Sequence, residues 1–363
     1  MPAIRWRPAP LTASGHPGLK LPVAQGVETP TEGSTSTDDT CGQAATQTFF
    51  MEIQRLPPTP EPAVPSGSTA GPIPFDIPND GAGHALSRPW TWDDIWRYRR
   101  ATLGGAGSSG TPPAIGDVTQ QNWGGGNDLE DAYLFGPLGD AVAAAAAGRH
   151  EGGLNLTALG MLEQRAYGWY HYYRGHWNTS AASGVLVLAR APVGTANGLS
   201  KMPYLRDTRR SGHGIGQFRL TFAAMTNAAD PGSKFGLRFN DTVALGNYQH
   251  DVHGLRICKL PGYVTEATGA KPYYIPFRAL TNGGASNLLV AGKTMAQSFS
   301  ANAATRLHPI EWASGVAAGA AAALMATNAS LRSTDRLYES GLPALRRLLR
   351  SAAIDQPLDW TPR

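Results

Sequence analysis

The chain has 363 residues, a net charge of +4, 16% charged and 42% hydrophobic residues, which is long enough for two cored domains and too long for a disulfide-stapled mini-protein. Its charge is too balanced for a disordered acidic chain, and its arginines are scattered rather than grouped in blocks that track a phosphate backbone, so nucleic acid is not an expected partner. With 43 glycines and 28 prolines, about one residue in five, much of the backbone must be turn, loop or close approach.

Residues 1–126 are broken by runs such as Pro57-Pro58-Thr59-Pro60 and Leu103 to Gly110, which leave room only for short ordered elements. The β-branched and aromatic stretch Ala44 to Ile53 predicts a strand, and Trp90 to Arg100 a short helix or turn. Asp128 to Ala147, ending in an alanine run, predicts a helix, and Leu156 to Tyr173 places Leu159, Leu162, Ala166, Tyr170 and Tyr173 at helical spacing. Val185 to Leu188 and Phe218 to Ala224 read as strands. The aromatic run Tyr167, Trp169, Tyr170, Tyr172, Tyr173 and Trp177 reads as core packing in preference to a substrate pocket. Leu342 to Ala353 closes the chain as an amphipathic helix.

Between Ile275 and Met325 the pattern is strand, turn, strand, loop and small-residue helix. Leu288, Leu289 and Val290 form a continuous apolar run, as expected of a parallel strand buried on both faces. Gly292 then lets the backbone approach a ligand. Pro309 is placed to open a helix carrying Gly315, Ala317, Ala318, Gly319 and Ala320. The longest apolar stretch, Ala313 to Ala326, is too short to span a bilayer, and Met1 to Pro10 is followed by no apolar run of a secretory signal. The expectation is a soluble, cytoplasmic protein without a membrane partner. Cys41 and Cys258 stand far apart, match no metal pattern and fit a reducing compartment.

The segment Ile275 to Met325, with its NLLVAG (Asn287 to Gly292) and WASGVAAGAAAALM, resembles the C-terminal flavin-binding part of two-domain, glutathione-reductase-like FAD-dependent oxidoreductases. MPYLRDTRR (Met202 to Arg210), DTVALGNYQHDVH (Asp241 to His253) and QNWGGGND (Gln121 to Asp128) are similar to further stretches of that family, in the family's order. The resemblance implies an α/β fold, an incomplete FAD/NAD(P)-binding Rossmann-like domain joined to an α+β substrate domain with long loops. It divides the chain into a substrate or cap domain at 1–270 with a loop-rich N-terminal third, a C-terminal segment of the FAD-binding domain at 271–330, and a helix and tail at 331–363. It also implies FAD as cofactor, a small organic substrate, hydride transfer to the flavin, and a helix N-terminus that favours the reduced ring's negative charge.

One departure stands out. The strand, GxGxxG turn and helix that hold the ADP half of FAD have no counterpart. Gly105 to Gly110 matches the letters, but Trp96-Arg97-Tyr98-Arg99-Arg100 precedes it and Thr111-Pro112-Pro113 follows. The expectation is an N-terminally truncated form, a chain not expected to hold FAD alone. Its alternatives are a non-catalytic remnant or binding subunit, and one chain of a two-chain enzyme whose partner carries the dinucleotide-binding unit.

For catalysis His253 is the candidate proton acceptor, with Asp251 on the same face of an extended segment to orient it. The plain alternative is a histidine hydrogen-bonded at a strand end. His250 and His253 lack a third ligand at suitable spacing, so no metal is expected. Arg209, with Arg206, Asp207 and Arg210, suits a clamp on an anionic substrate or flavin carbonyl, or a salt-bridged surface. Arg306 and His308, just before the Ala/Gly helix, lie where the resemblance brings a loop to the flavin. Asn287, Ala291, Gly292, Gly315 and Gly319 are expected to pack beside the cofactor.

Overall fold

The computed structural model describes residues 21–55, 96, 99–101, 113–122, 127–146, 153–177, 184–226, 232–267 and 269–360. In chain order the strands are β1 (Val23–Ala24), β2 (Val27–Glu28), β3 (Thr37–Asp38), β4 (Ala45–Thr46), β5 (Phe49–Arg55), β6 (Val118–Gln121), β7 (Asp128–Leu129), β8 (Gly184–Leu188), β9 (Arg210–Ser211), β10 (Thr242–Gly246), β11 (Tyr273–Pro276), β12 (Thr281–Asn282) and β13 (Ala285–Leu289). The helices are α1 (Leu138–Ala146), α2 (Leu156–Trp177), α3 (Gly262–Thr265), α4 (Phe299–Thr305), α5 (His308–Thr327), α6 (Thr334–Arg336) and α7 (Leu342–Leu349). This is a mixed α and β chain built on small antiparallel sheets.

Two compact units form, and neither is a continuous stretch: one holds 1–43, 135–154 and 206–363, the other 44–134 and 155–205. The chain passes from one unit to the other after residues 43, 134, 154 and 205.

The smaller unit is organised by a three-stranded sheet in the order β6-β5-β8, with Met51 of the central strand opposite both Thr119 and Leu188. Phe49, Met51 and Ile53 alternate into the core, as period-two geometry requires. Helix α2 covers this face with Ala166, Tyr167, Trp169, Tyr170 and Tyr173, all buried. The aromatic run is therefore core on its described side chains. At about 1.5–3 kcal/mol for each fully buried large side chain, this interface is what holds the sheet.

In the larger unit β10 pairs antiparallel with β11. Val243, Ala244 and Ile275 join Ile310, Ala317 and Ala321 of α5 and Leu345 and Leu349 of α7 in one core. Tyr273 anchors that core by donating its hydroxyl to the Ala304 carbonyl at 2.6 Å. The N-terminal segment is fixed by Glu28, whose carboxylate lies 2.5 Å from the Arg210 guanidinium with both side chains buried. It also turns at Gly26, where φ is +74° and a Cβ would sit 1.9 Å from the Asp38 carbonyl oxygen, so only glycine fits.

Four expectations are corrected. NLLVAG is not a doubly buried parallel strand: β13 pairs antiparallel with β12, Ser286 and Asn287 are exposed, and Leu288 to Val290 are half-buried. The reason is the Gly283-Gly284 pair between Asn282 and Ala285, which closes a two-residue hairpin. Phe218 to Ala224 is not a strand but a bridge at Leu220 followed by a 3-10 turn, Phe222–Met225, whose Phe222 and Ala223 amides donate to the Glu32 carboxylate. Asp128 to Ala147 splits, because Gly136-Pro137 delays the helix to Leu138 and frees Asp128 and Leu129 to pair with β4.

Fourth, Cys41 and Cys258 form a disulfide across 217 positions. The support that unpaired cysteines lent to a reducing compartment goes with that reading. The expected element at Trp90 to Arg100 and the Gly105 to Gly110 match lie largely or wholly outside the described residues.

Helix α5 has 20 residues and is, among the described residues, the one helix long and apolar enough to cross a bilayer. Its buried face, including Ile310, Ser314, Ala317, Ala321 and Met325, is committed to the core. The opposite face, Trp312, Gly315, Gly319 and Ala322, is exposed.

Candidate active site

After β10 the chain leaves regular structure and runs irregularly to α3, and this segment carries Tyr248, His250, Asp251 and His253. The structure brings Asp251, His253 and Arg306 together. Arg306 is the C-cap of α4 and is buried; its guanidinium donates to Asp251 Oδ2 at 2.6 Å and to the Asp251 carbonyl at 3.0 Å. Tyr248 donates its hydroxyl to the same Oδ2 at 2.6 Å. His253 Nε2 lies 3.4 Å from Oδ1, and the Arg306 guanidinium stands over the Tyr248 ring at 5.8 Å.

The electrostatics follow from this packing. Burial pushes the Asp251 carboxyl up, but hydrogen bonds from His253 and Tyr248 and the charges of His253 and Arg306 outweigh it and hold the group below the usual carboxylate range. Asp251 is thus an anion fixed from three sides, as a carboxylate that orients an imidazole must be. The His250 ring packs 4.5 Å from the Phe222 ring, and burial pushes its pKa down against the pull of Asp251. Beside the cluster, Gln43 Oε1 accepts the His253 amide at 3.4 Å. Gln43 Nε2 and His250 Nε2 are buried and have no hydrogen-bond partner among the described residues.

Arg306 is followed directly by Leu307, the N-cap of α5, with His308 and Pro309 exposed in its first turn. The cluster therefore stands at the positive end of the Ala/Gly helix. Ala291 N-caps the short turn Gly292–Thr294, and Gly292 adopts φ +60° with its amide on Ser314 Oγ at 3.0 Å. A Cβ on Gly292 would come within 3.1 Å of Glu311 Oε1, which also receives the Lys293 amide and ammonium. The close approach expected of Gly292 is thus an approach to the first turns of α5. Asn287 is exposed on β13, and Cβ atoms at Gly315 and Gly319 would meet nothing within 4 Å among the described residues.

The upstream residues make contacts within the larger unit. Arg209 donates to Gln25 at 2.7 Å and stands 5.4 Å over the Phe135 ring. Arg210 is buried on Glu28, the Gly26 carbonyl and the Gln297 carbonyl. Asp207 accepts the Gln43 amide. Sequence reasoning missed Tyr248, although it lies three residues before Asp251 in the same motif, and missed the Lys293–Glu311 pair, which joins segments 18 residues apart.

The mixed α and β chain thus places a histidine–carboxylate–guanidinium cluster just before the N-terminal end of helix α5. The chain belongs to the FAD dependent oxidoreductase family, whose model matches residues 102–340, about two thirds of its length. Comparison with curated proteins and with solved structures found no match.

Proposed function

We propose that this chain is the substrate-side and flavin-proximal part of an FAD-dependent oxidoreductase that oxidises a small organic substrate, with His253 accepting the substrate's proton. The observation that carries this reading is the Asp251 cluster at the N-terminal end of α5. Asp251, held by Arg306 and Tyr248, fixes the imidazole and stabilises it once protonated. Arg209, which the structure directs to Gln25 and Phe135, is not part of this proposal.

The residues fit the ring end of the cofactor. Gln43 Nε2 is a buried donor that a flavin carbonyl or substrate oxygen would satisfy. Arg306, His308 and the first turn of α5 offer positive charge where a reduced ring would carry negative charge. Ala291 and Gly292 would border that end, and Asn287, Gly315 and Gly319 lie on open surface where another body could pack. Bound FAD would supply the two-electron acceptor.

A second reading draws support from that same open surface: a dinucleotide-binding unit, on a separate chain or encoded upstream, completes the FAD site. β13 has β12 as its one strand partner among the described residues, and the Gly315 and Gly319 face is uncovered.

The test is to add FAD to the purified chain, remove free cofactor and record the visible flavin absorbance. Uptake supports a self-sufficient holoenzyme, in which His253→Ala should retain flavin but lose substrate-dependent bleaching. No uptake removes self-sufficiency, and the second reading then requires that co-expression with a strand–GxGxxG–helix polypeptide encoded beside this gene restores the colour. Unchanged bleaching in His253→Ala would remove the base assignment.

A further inference from the structure

Cys41 and Cys258 are joined where two parts of the candidate site are anchored. Cys41 is buried with Val27, Val264 and Phe299, and Val252, Cys258, Leu260 and Tyr263 pack against this cluster. Val252 lies between Asp251 and His253. Phe299 is the first residue of α4, the helix that ends at Arg306. Two residues beyond Cys41, Gln43 forms a bridge with Gly254. One apolar knot, crossed by one disulfide, therefore seats both the Asp251–His253 segment and the helix that presents Arg306.

The two sulfurs differ in access. Cys41 is 1% exposed. Cys258 is half-buried and flanked by exposed Ile257 and Lys259 in an irregular stretch, so an incoming thiolate meets Cys258 first, with an ammonium nearby to favour its approach.

We propose that Cys41–Cys258 is a thiol–disulfide exchange site through which a dithiol reductant loosens the Asp251 cluster. The reductant thiolate attacks Cys258 Sγ, forming a mixed disulfide and expelling Cys41 as a thiolate that takes up a proton. The reductant's second thiol, deprotonated, attacks its own sulfur in the mixed disulfide and releases Cys258. The pair gains two electrons and two protons, and the reductant leaves as its disulfide. Segment 247–261 then loses its covalent tie to Cys41 and keeps the Gln43–Gly254 bridge, the hydrogen bonds of Asp251 and His253, and apolar packing. This inference concerns the chain by itself and does not depend on its binding FAD.

The test compares the full chain as purified under air with the same protein treated with dithiothreitol under native conditions, by iodoacetamide labelling with peptide mass spectrometry and by amide hydrogen exchange. The expected result is no labelling before reduction, labelling of Cys258 ahead of Cys41 after it, and exchange in 247–261 that speeds up several-fold more than exchange in β11. The double variant Cys41→Ser/Cys258→Ser should show the reduced pattern; should that variant not fold, the natively reduced protein decides alone. Labelling before reduction, a disulfide that yields only in denaturant, or exchange in 247–261 that reduction leaves unchanged would each overturn the proposal.

Discussion

Replacing Glu28 by Gln removes one charge from the best-enclosed ion pair of the larger unit. The Glu28 side chain is fully buried and that of Arg210 is 1% exposed, with 2.5 Å between them. The other carboxylate oxygen accepts the Phe299 amide at 3.0 Å, at the start of α4. A second guanidinium, Arg219, lies 3.7 Å from Glu28. In Glu28→Gln the volume and one acceptor oxygen are kept, but Arg210 becomes a buried cation whose partners, the new amide and the Gly26 and Gln297 carbonyls, are all neutral. Breaking one side of such a pair costs about 3–5 kcal/mol, roughly two to three and a half orders of magnitude in the folding equilibrium. Urea denaturation followed by circular dichroism should show the midpoint falling with the slope unchanged. A loss within about 0.5 kcal/mol, the usual effect of a surface substitution, would refute the reasoning. The joint replacement Glu28→Met/Arg210→Met should be milder than either single change, because it removes both members of the buried pair and leaves Arg219 on the Gly212 and Ser34 carbonyls.

Three further outcomes are expected. Removing the disulfide, with its separation of 217 residues, should cost about 5 kcal/mol on the chain-entropy model, and denaturation midpoints of wild type and Cys41→Ser/Cys258→Ser that coincide would contradict it. Gly292→Ala must hold φ at +60° against Glu311 and should lose about 1–2 kcal/mol, whereas Gly315→Ala, facing open space, should gain slightly in the isolated chain by helix propensity; equal thermal shifts would refute the contrast. His250 and Asp251 are both shifted down in the folded state, so each favours folding above its unfolded pKa and loses that contribution as pH falls. Stability should decline as pH drops below about 6.5 for His250 and further below about 4 for Asp251, and in an acid titration His250→Gln should flatten the first step while leaving the second.

How much of this was legible in the sequence depends on the range of the interactions involved. Helix α2, strands β5 and β8, the start of α5 at Pro309 and the flavoprotein kinship of the Ile275 to Met325 segment are carried by local periodicity, a helix-opening proline and an ordered set of motifs. The pairing of Asp251 with His253 was legible too, because two residues apart on an extended segment they share a side. The TNGGAS hairpin is local too, but the apolar letters of NLLVAG also suit a strand between two neighbours, and only the antiparallel pairing of β13 with β12 separates the two.

What only the tertiary structure decided is where distant residues meet. No spacing rule brings Arg306 onto Asp251, Arg210 onto Glu28 or Cys41 onto Cys258, because their separations of 55 to 217 positions are closed by tertiary packing and not by backbone geometry. The sequence by itself determined the family and the candidate proton acceptor. Burial decided which arginine meets Asp251 and which meets Glu28, since a guanidinium is legible as a charge in sequence and its partner is set only by the carboxylate it is enclosed with.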